Sequence, residues 1–128
     1  FEHRGWRICP QICYDLRFPV WCRSRGDYDL LLFVANWPSP RVAAWDALLR
    51  ARAIENQCWV VAVNRVGEDG NGIVYPGQSV VHDPMGETVA LLEDAETCRR
   101  VDLDLAAVGQ ARGAFPFQED ADDFLLRP

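Results

Sequence analysis

Apolar and polar positions along the 128-residue chain change their spacing from block to block, and each change marks an element. Residues 6–13 read as an extended strand ending at Cys13, followed by a short polar turn, Tyr14-Asp15-Leu16-Arg17. Residues 19–25 have helical character and stop at Gly26, a normal residue just past a helix end. Residues 30–35 are apolar without alternation, as in a central strand with both faces buried. That strand closes on Asn36-Trp37-Pro38-Ser39-Pro40, where Ser39 suits an N-cap and Pro40 a first helical position. Residues 40–57 then repeat at helical spacing. Trp45, Leu49 and Ala53 share one face, joined by Leu48 and Ile54, and Asp46 stands one turn from Arg50.

Residues 59–64 form a second continuous apolar strand, and the glycine-rich segment 67–72 reads as a loop. A hairpin follows, with strands at 78–82 and 87–92 around Asp83-Pro84-Met85-Gly86. Residues 97–103 alternate enough to predict another strand, with Val101 and Leu103 on one face, and 105–112 a short helix. Residues 114–128 read as an acidic tail with Phe115, Phe117 and Phe124 as anchors. Strand and helix alternate and a hairpin follows, the order of a layered α/β domain. Residues 1–128 are expected to belong to one domain.

Composition narrows the function classes. With 13 basic against 19 acidic residues the net charge is −6, which argues against a nucleic-acid surface. All 13 basic residues are arginines, so chemistry that needs a lysine has none here. No apolar run approaches the ~20 residues of a membrane span. The five cysteines follow no zinc-site or disulfide spacing, so reduced thiols in the cytoplasm are expected, with no metal and no cofactor. The chain opens on Phe1 rather than Met, and an upstream segment is expected.

Candidate chemistry gathers where strands end. Cys13 sits at the carboxyl end of a predicted strand, where ligands collect in α/β sheets. A sharp turn there projects the thiol and frees the next backbone N–H to hold an oxyanion. A packed, inert thiol is the commoner role for a cysteine on pattern alone. Asn36 and Trp37 end the neighbouring strand: Asn36 either bonds a substrate or shapes a turn, and Trp37 is either pocket wall or core. Arg17 could hold an anionic group, although an ion pair with Asp15 is the simpler reading. Glu55 fits a helix-end network with Arg50 and Arg52. His82, beside Asp83 in a hairpin strand, reads as a surface residue. Gly77-Gln78-Ser79-Val80-Val81 lacks the second glycine of a serine-nucleophile elbow, and 67–72 holds no phosphate-binding fingerprint.

Ile12-Cys13-Tyr14-Asp15-Leu16-Arg17-Phe18-Pro19 resembles the nucleophile motif of the nitrilase superfamily, the carbon–nitrogen hydrolases. The resemblance continues through Asn36-Trp37-Pro38, residues 50–57, Asn64-Arg65-Val66-Gly67 and Asp83-Pro84-Met85-Gly86-Glu87, in the family's order. Asn-Trp-Pro and the Phe115-Pro116-Phe117-Gln118-Glu119-Asp120-Ala121-Asp122 tail are most similar to the omega-amidase branch. That branch hydrolyses the terminal amide of 2-oxo dicarboxylic acid monoamides.

The resemblance implies a portion of a four-layer αββα sandwich, usually dimerised, with a metal-free Glu–Lys–Glu–Cys site. Cys13 would attack the amide carbon and form a thioester, and the Tyr14 N–H would stabilise the oxyanion. Asn36 and Trp37 match substrate-binding positions, while Arg17 and Glu55 match positions read as structural. The general base, the lysine and the second glutamate belong to segments before the nucleophile strand, and Glu2 is assigned to neither glutamate. The chain therefore resembles the C-terminal half of the family domain. Its expected partners are a small amide, a second copy and the N-terminal half, with no nucleic acid or membrane. Alone it is expected to be inactive and to aggregate through its uncovered sheet. The alternatives are a non-catalytic interaction module or remnant, or another activity of the superfamily: nitrile or carbamoyl-amide hydrolysis, or acyl transfer.

Overall fold

The computed structural model describes residues 1–125, so the last three residues of the expected tail, 126–128, lie outside the described residues. Along the chain run β1 (Glu2–His3), β2 (Trp6–Ile12), α1 (Pro19–Cys22), β3 (Leu30–Ala35), α2 (Val42–Asn56), β4 (Trp59–Asn64), β5 (Val66–Glu68), β6 (Val74–Pro76), β7 (Ser79–His82), β8 (Thr88–Leu92) and α3 (Ala106–Ala114). Six strands make one sheet in the order β1-β2-β3-β4-β7-β8. β2, β3 and β4 are parallel, because helical crossovers join them, and the β7–β8 hairpin extends the sheet antiparallel from β4. The expected α/β class stands.

One face of the sheet is closed by α2. Trp45, Leu49 and Ala53, the face set by helical spacing, pack fully buried on Leu31, Phe33, Val60, Ala62 and Val80. Ile54 lies off that face and is half-exposed. The opposite face is only partly closed. Val108 of α3 covers Trp59, Val81 and Ala90, with Val101 and Leu103 packed alongside. Beyond that cover, Ile12, Val34 and Val63 stand side by side across the strand ends at 68%, 51% and 51% exposure. The expectation that both faces of β3 are buried fails at this apolar row.

Several local expectations also give way. No strand forms over 97–103; the alternation is used to pack Val101 and Leu103 under the sheet, and Trp59 Nε1 donates to the Asp104 carbonyl at 2.9 Å. The helix at 19–25 lasts one turn, because Arg23 adopts an extended conformation. Ser39 is no N-cap. It opens a 3-10 turn, Ser39–Arg41, and its hydroxyl donates to the Val74 carbonyl at 3.1 Å. The 67–72 loop is framed by the β5–β6 ribbon. Ala114, assigned to the tail, closes α3, and Phe115 is 65% exposed rather than an anchor. Phe124 does anchor, with the Arg23 guanidinium 5.0 Å from its ring centre.

Candidate active site

β2 ends at Ile12, and Cys13 opens a 3-10 turn, Cys13–Arg17. Its φ of +43° lies in the left-handed region, which costs a residue with a Cβ about 1–2 kcal/mol. The surrounding turn holds it there. The Asp15 carboxylate accepts the Ile12 N–H at 2.9 Å, and the Asp15 carbonyl accepts the Phe18 N–H at 3.0 Å. Leu16, wholly buried, roots the turn in the core. From α2, buried Arg52 donates to the Leu16 carbonyl at 2.7 Å and pairs with Glu55 at 2.8 Å. Glu55 thus belongs to a helix-end network, as expected, but with Arg52 alone. Arg50 turns instead to the hairpin and donates to Gly86 and Thr88 rather than to Asp46.

The geometry leaves a thiol at the strand end, half-buried, with donors beside it. A 3-10 turn cannot satisfy its first N–H groups internally, so the Tyr14 amide is free to face an incoming oxygen. The Tyr14 ring itself is exposed, edge-on to Phe18 at 5.2 Å.

β3 stops one strand away, and Asn36 and Trp37 follow it. Asn36 is exposed and borders the same cleft as Cys13. Trp37 joins both roles open to it: it is 2% exposed and tilted against Trp45 at 5.5 Å, yet it walls the cleft. Asn64, at the end of β4, clamps its backbone. The Asn64 Oδ1 accepts the Trp37 N–H at 2.7 Å, while Nδ2 donates to the carbonyls of Trp37 at 3.0 Å and Gly77 at 2.8 Å.

Cys13, Tyr14, Arg17, Asn36, Trp37, Pro38 and Arg41 together line a cleft of about 370 Å³. The ion pair expected between Arg17 and Asp15 is absent, because the Asp15 carboxylate is engaged by the Ile12 amide. The Arg17 guanidinium lies over the Trp37 ring instead, 4.7 Å from its centre. Arg41 and Asn64 escaped sequence reasoning as site residues. Asn64 carried a usable signal, a lone amide closing an apolar strand beside the one that ends at Asn36. Arg41 carried none before the 3-10 turn placed it.

Among the described residues no carboxylate, lysine or histidine lines the cleft. Glu2 pairs with Arg7, and with ~3.3 Å per residue that register puts it roughly 20 Å from Cys13. His82 pairs with Val60 near the start of β4, away from the strand ends that hold the site. It is wholly buried under α2, contrary to its expected surface position, because its side chain shares the α2 face with Val60. All five cysteines are free thiols, and burial pushes those of Cys22 and Cys58 up. Among the described residues no helix is long and apolar enough to cross a membrane.

Residues 1–113 match the carbon-nitrogen hydrolase family. The chain is 57% identical to the omega-amidase YafV of Escherichia coli (strain K12), over 98% of its own length and 49% of that protein's. It is 38% identical to the 2-oxoglutaramate amidase of Bacillus subtilis (strain 168), over 94% of its length and 47% of that protein's. A crystal structure from Xanthomonas campestris superposes with a TM-score of 0.97 at 51% identity, over 99% of this chain and 51% of that one. That protein is a CN-hydrolase superfamily member with an arsenic adduct in its active site. The chain thus spans about half the length of the relatives it matches.

Proposed function

The chain belongs to the carbon–nitrogen hydrolase family, and from that premise we propose that it supplies the nucleophile of an amidase acting on a small carboxamide. Its relatives favour the omega-amide of a 2-oxo dicarboxylic acid. The observation that carries the reading is Cys13 itself. A left-handed cysteine at a strand end, locked by Asp15, Leu16 and Arg52, is strain retained where a protruding nucleophile needs it.

The proposed course follows from the geometry. The Cys13 thiol gives its proton to a base and the sulfur attacks the amide carbon. A C–S bond forms, and the carbonyl electron pair moves to oxygen, where the Tyr14 N–H meets it. Collapse breaks the C–N bond, the nitrogen takes the proton from the base, and ammonia leaves. Water then attacks the thioester, giving a proton to the same base. The C–S bond breaks, and the carboxylic acid and the thiol are regenerated. Asn36 and the Trp37 wall orient the substrate.

Among the described residues no carboxylate or histidine lines the cleft to act as the base, and these 128 residues contain no lysine to serve as the oxyanion's cationic partner. We assign both to the remainder of the domain, packed over the apolar row of Ile12, Val34 and Val63. That row runs up to Cys13, as it must if the covering layer is to bring groups to the thiol. Free thiols throughout support a reducing, cytoplasmic setting. A homodimer that extends the sandwich completes the proposal. The second reading, a non-catalytic module on the same scaffold, draws support from the lack of a base in the cleft. Ammonia release from 2-oxoglutaramate by the full-length protein, abolished by Cys13→Ala, supports the amidase. Release that survives the substitution would sink the nucleophile assignment.

A further inference from the structure

We propose that residues 121–125 form a strap whose anchor, Phe124, holds the exit of α1 and through it the Cys13 turn, which makes Phe124 a positioning residue for the nucleophile. The inference rests on Cys13 being the nucleophile and deepens that reading.

The Cys13 turn and α1 form one short unit that cannot hold itself. Cys13 stands at a φ of +43°, a conformation kept only where the surroundings over-determine it. α1 follows at once and is four residues long, far below the length at which a helix is stable alone. The two are joined internally. Phe18 ends the turn and opens α1, its carbonyl accepts the Cys22 N–H at 3.2 Å, and the Cys22 thiol donates to the Asp15 carbonyl at 3.4 Å. The front of this unit is tied to the last residue of β2 and to Arg52 of α2. Its exit, residues 23–25, belongs to no helix or strand.

That exit is gripped from two sides. On the inner side the Ser24 N–H donates to Oδ1 of buried Asn56 at 2.7 Å, and the Asn56 Nδ2 donates to the Arg52 carbonyl at 2.9 Å. On the outer side Phe124 engages both flanking arginines. The Arg23 and Arg25 guanidinium groups stand 5.0 and 5.7 Å from its ring centre. Arg25 also donates to the Phe124 carbonyl at 2.9 Å and faces the Asp123 carboxylate at 3.8 Å.

The strap is not packed down along its length. A cavity of about 320 Å³ lies before it, lined by Phe117, Gln118 and Ala121 on one side and by Pro19, Val20 and Asn56 on the other. Among the described residues the buried Gln118 Nε2 finds no acceptor. The hold is therefore concentrated at Phe124, one ring against two cations.

The test is amide hydrogen exchange on the full-length protein, read by mass spectrometry on the peptide carrying residues 13–18. The kinetics of ammonia release from 2-oxoglutaramate are measured beside it. An exposed cation–π contact is worth a factor of about two to five in a local equilibrium, and Phe124 makes two. Phe124→Ala should speed exchange at 13–18 by about threefold or more, while peptides from β3 and β4 keep their wild-type rates. kcat should fall with it and KM should hold, because a loosened turn costs alignment rather than binding. Phe124→Tyr, which keeps the ring, should restore both, and Leu125→Ala, at a neighbour 87% exposed, should change neither. Unchanged exchange at 13–18, or equal acceleration in β3 and β4, overturns the strap. Faster exchange with kcat unmoved overturns the positioning role. A wild-type protein that releases no ammonia overturns the amidase reading instead, and the exchange comparison still decides whether the strap holds the turn.

Discussion

Asn64 is the structural hinge between strand order and site shape, and its removal should be costly on both counts. Its amide makes three hydrogen bonds within the buried ground between β3, β4 and the turn before β7, two to Trp37 and one to Gly77. Asn64→Ala removes all three and strands two carbonyls and one N–H away from water. With a net ~1 kcal/mol for each bond, the loss is about 3 kcal/mol. For a domain of some 150–250 residues that corresponds to a fall in Tm of roughly 6–12 °C. Asn64→Asp is a sharper probe. It keeps the acceptor for the Trp37 N–H but turns a carboxylate oxygen toward two carbonyls, so it should cost more than alanine near neutral pH. Protonation supplies one donor, so the Asp variant should regain stability as the pH falls below the carboxylate's native-state pKa. Urea unfolding of the full-length protein across pH, with ammonia release measured in parallel, reads both effects. A cost under 1 kcal/mol for Asn64→Ala with unchanged kcat/KM would refute the clamp.

Gly77 has φ +67°, and a Cβ there would lie 2.3 Å from the Glu93 carbonyl, so Gly77→Ala should destabilise by at least ~2 kcal/mol; unchanged urea midpoints would contradict this. Burial, then the nearby Arg50 charge, hold His82 below its ordinary pKa of about 6.5, with Asp46 opposing. The unfolded chain therefore binds the proton first, and the stability present above about pH 6.5 is lost as the pH falls through the native-state value. His82→Leu should flatten that slope in pH-dependent unfolding, and a slope that persists would assign it elsewhere. Val34 is 51% exposed here, yet Val34→Glu should cost about 3 kcal/mol in the full-length protein if a further layer covers it. A change within ~0.5 kcal/mol, normal for a surface site, would deny the layer.

Much of this could be read from sequence because it rests on local rules. The two apolar runs became parallel central strands, the spacing of Trp45, Leu49 and Ala53 fixed the buried face of α2, and Cys13 fell where its strand ends. What escaped depends on partners distant in the chain. Val101 and Leu103 alternate like a strand, but their side chains pack against Trp59, Val81, Ala90 and Val108 beneath the sheet instead of joining it. His82 looked exposed beside Asp83 until α2 closed over it. Ser39 has the chemistry of a cap, but Val74 offers its hydroxyl a better acceptor. Arg17 was expected to seek the nearest acid, and the Ile12 amide had already taken it. Continuous apolar strands imply two covered faces, and residues 1–125 cover one and part of the other. That shortfall lies beside Cys13, where the proposed chemistry requires a base and a cation.

The central claim is that the Cys13 sulfur carries the acyl group during turnover. Full-length protein mixed with 2-oxoglutaramate, quenched in acid within the first turnovers and digested, should yield the Cys13 peptide heavier by the acyl group of the substrate less ammonia. The adduct should be lost on treatment with hydroxylamine and absent from Cys13→Ala. An acyl group on another residue, or full turnover by the alanine variant, would contradict the account.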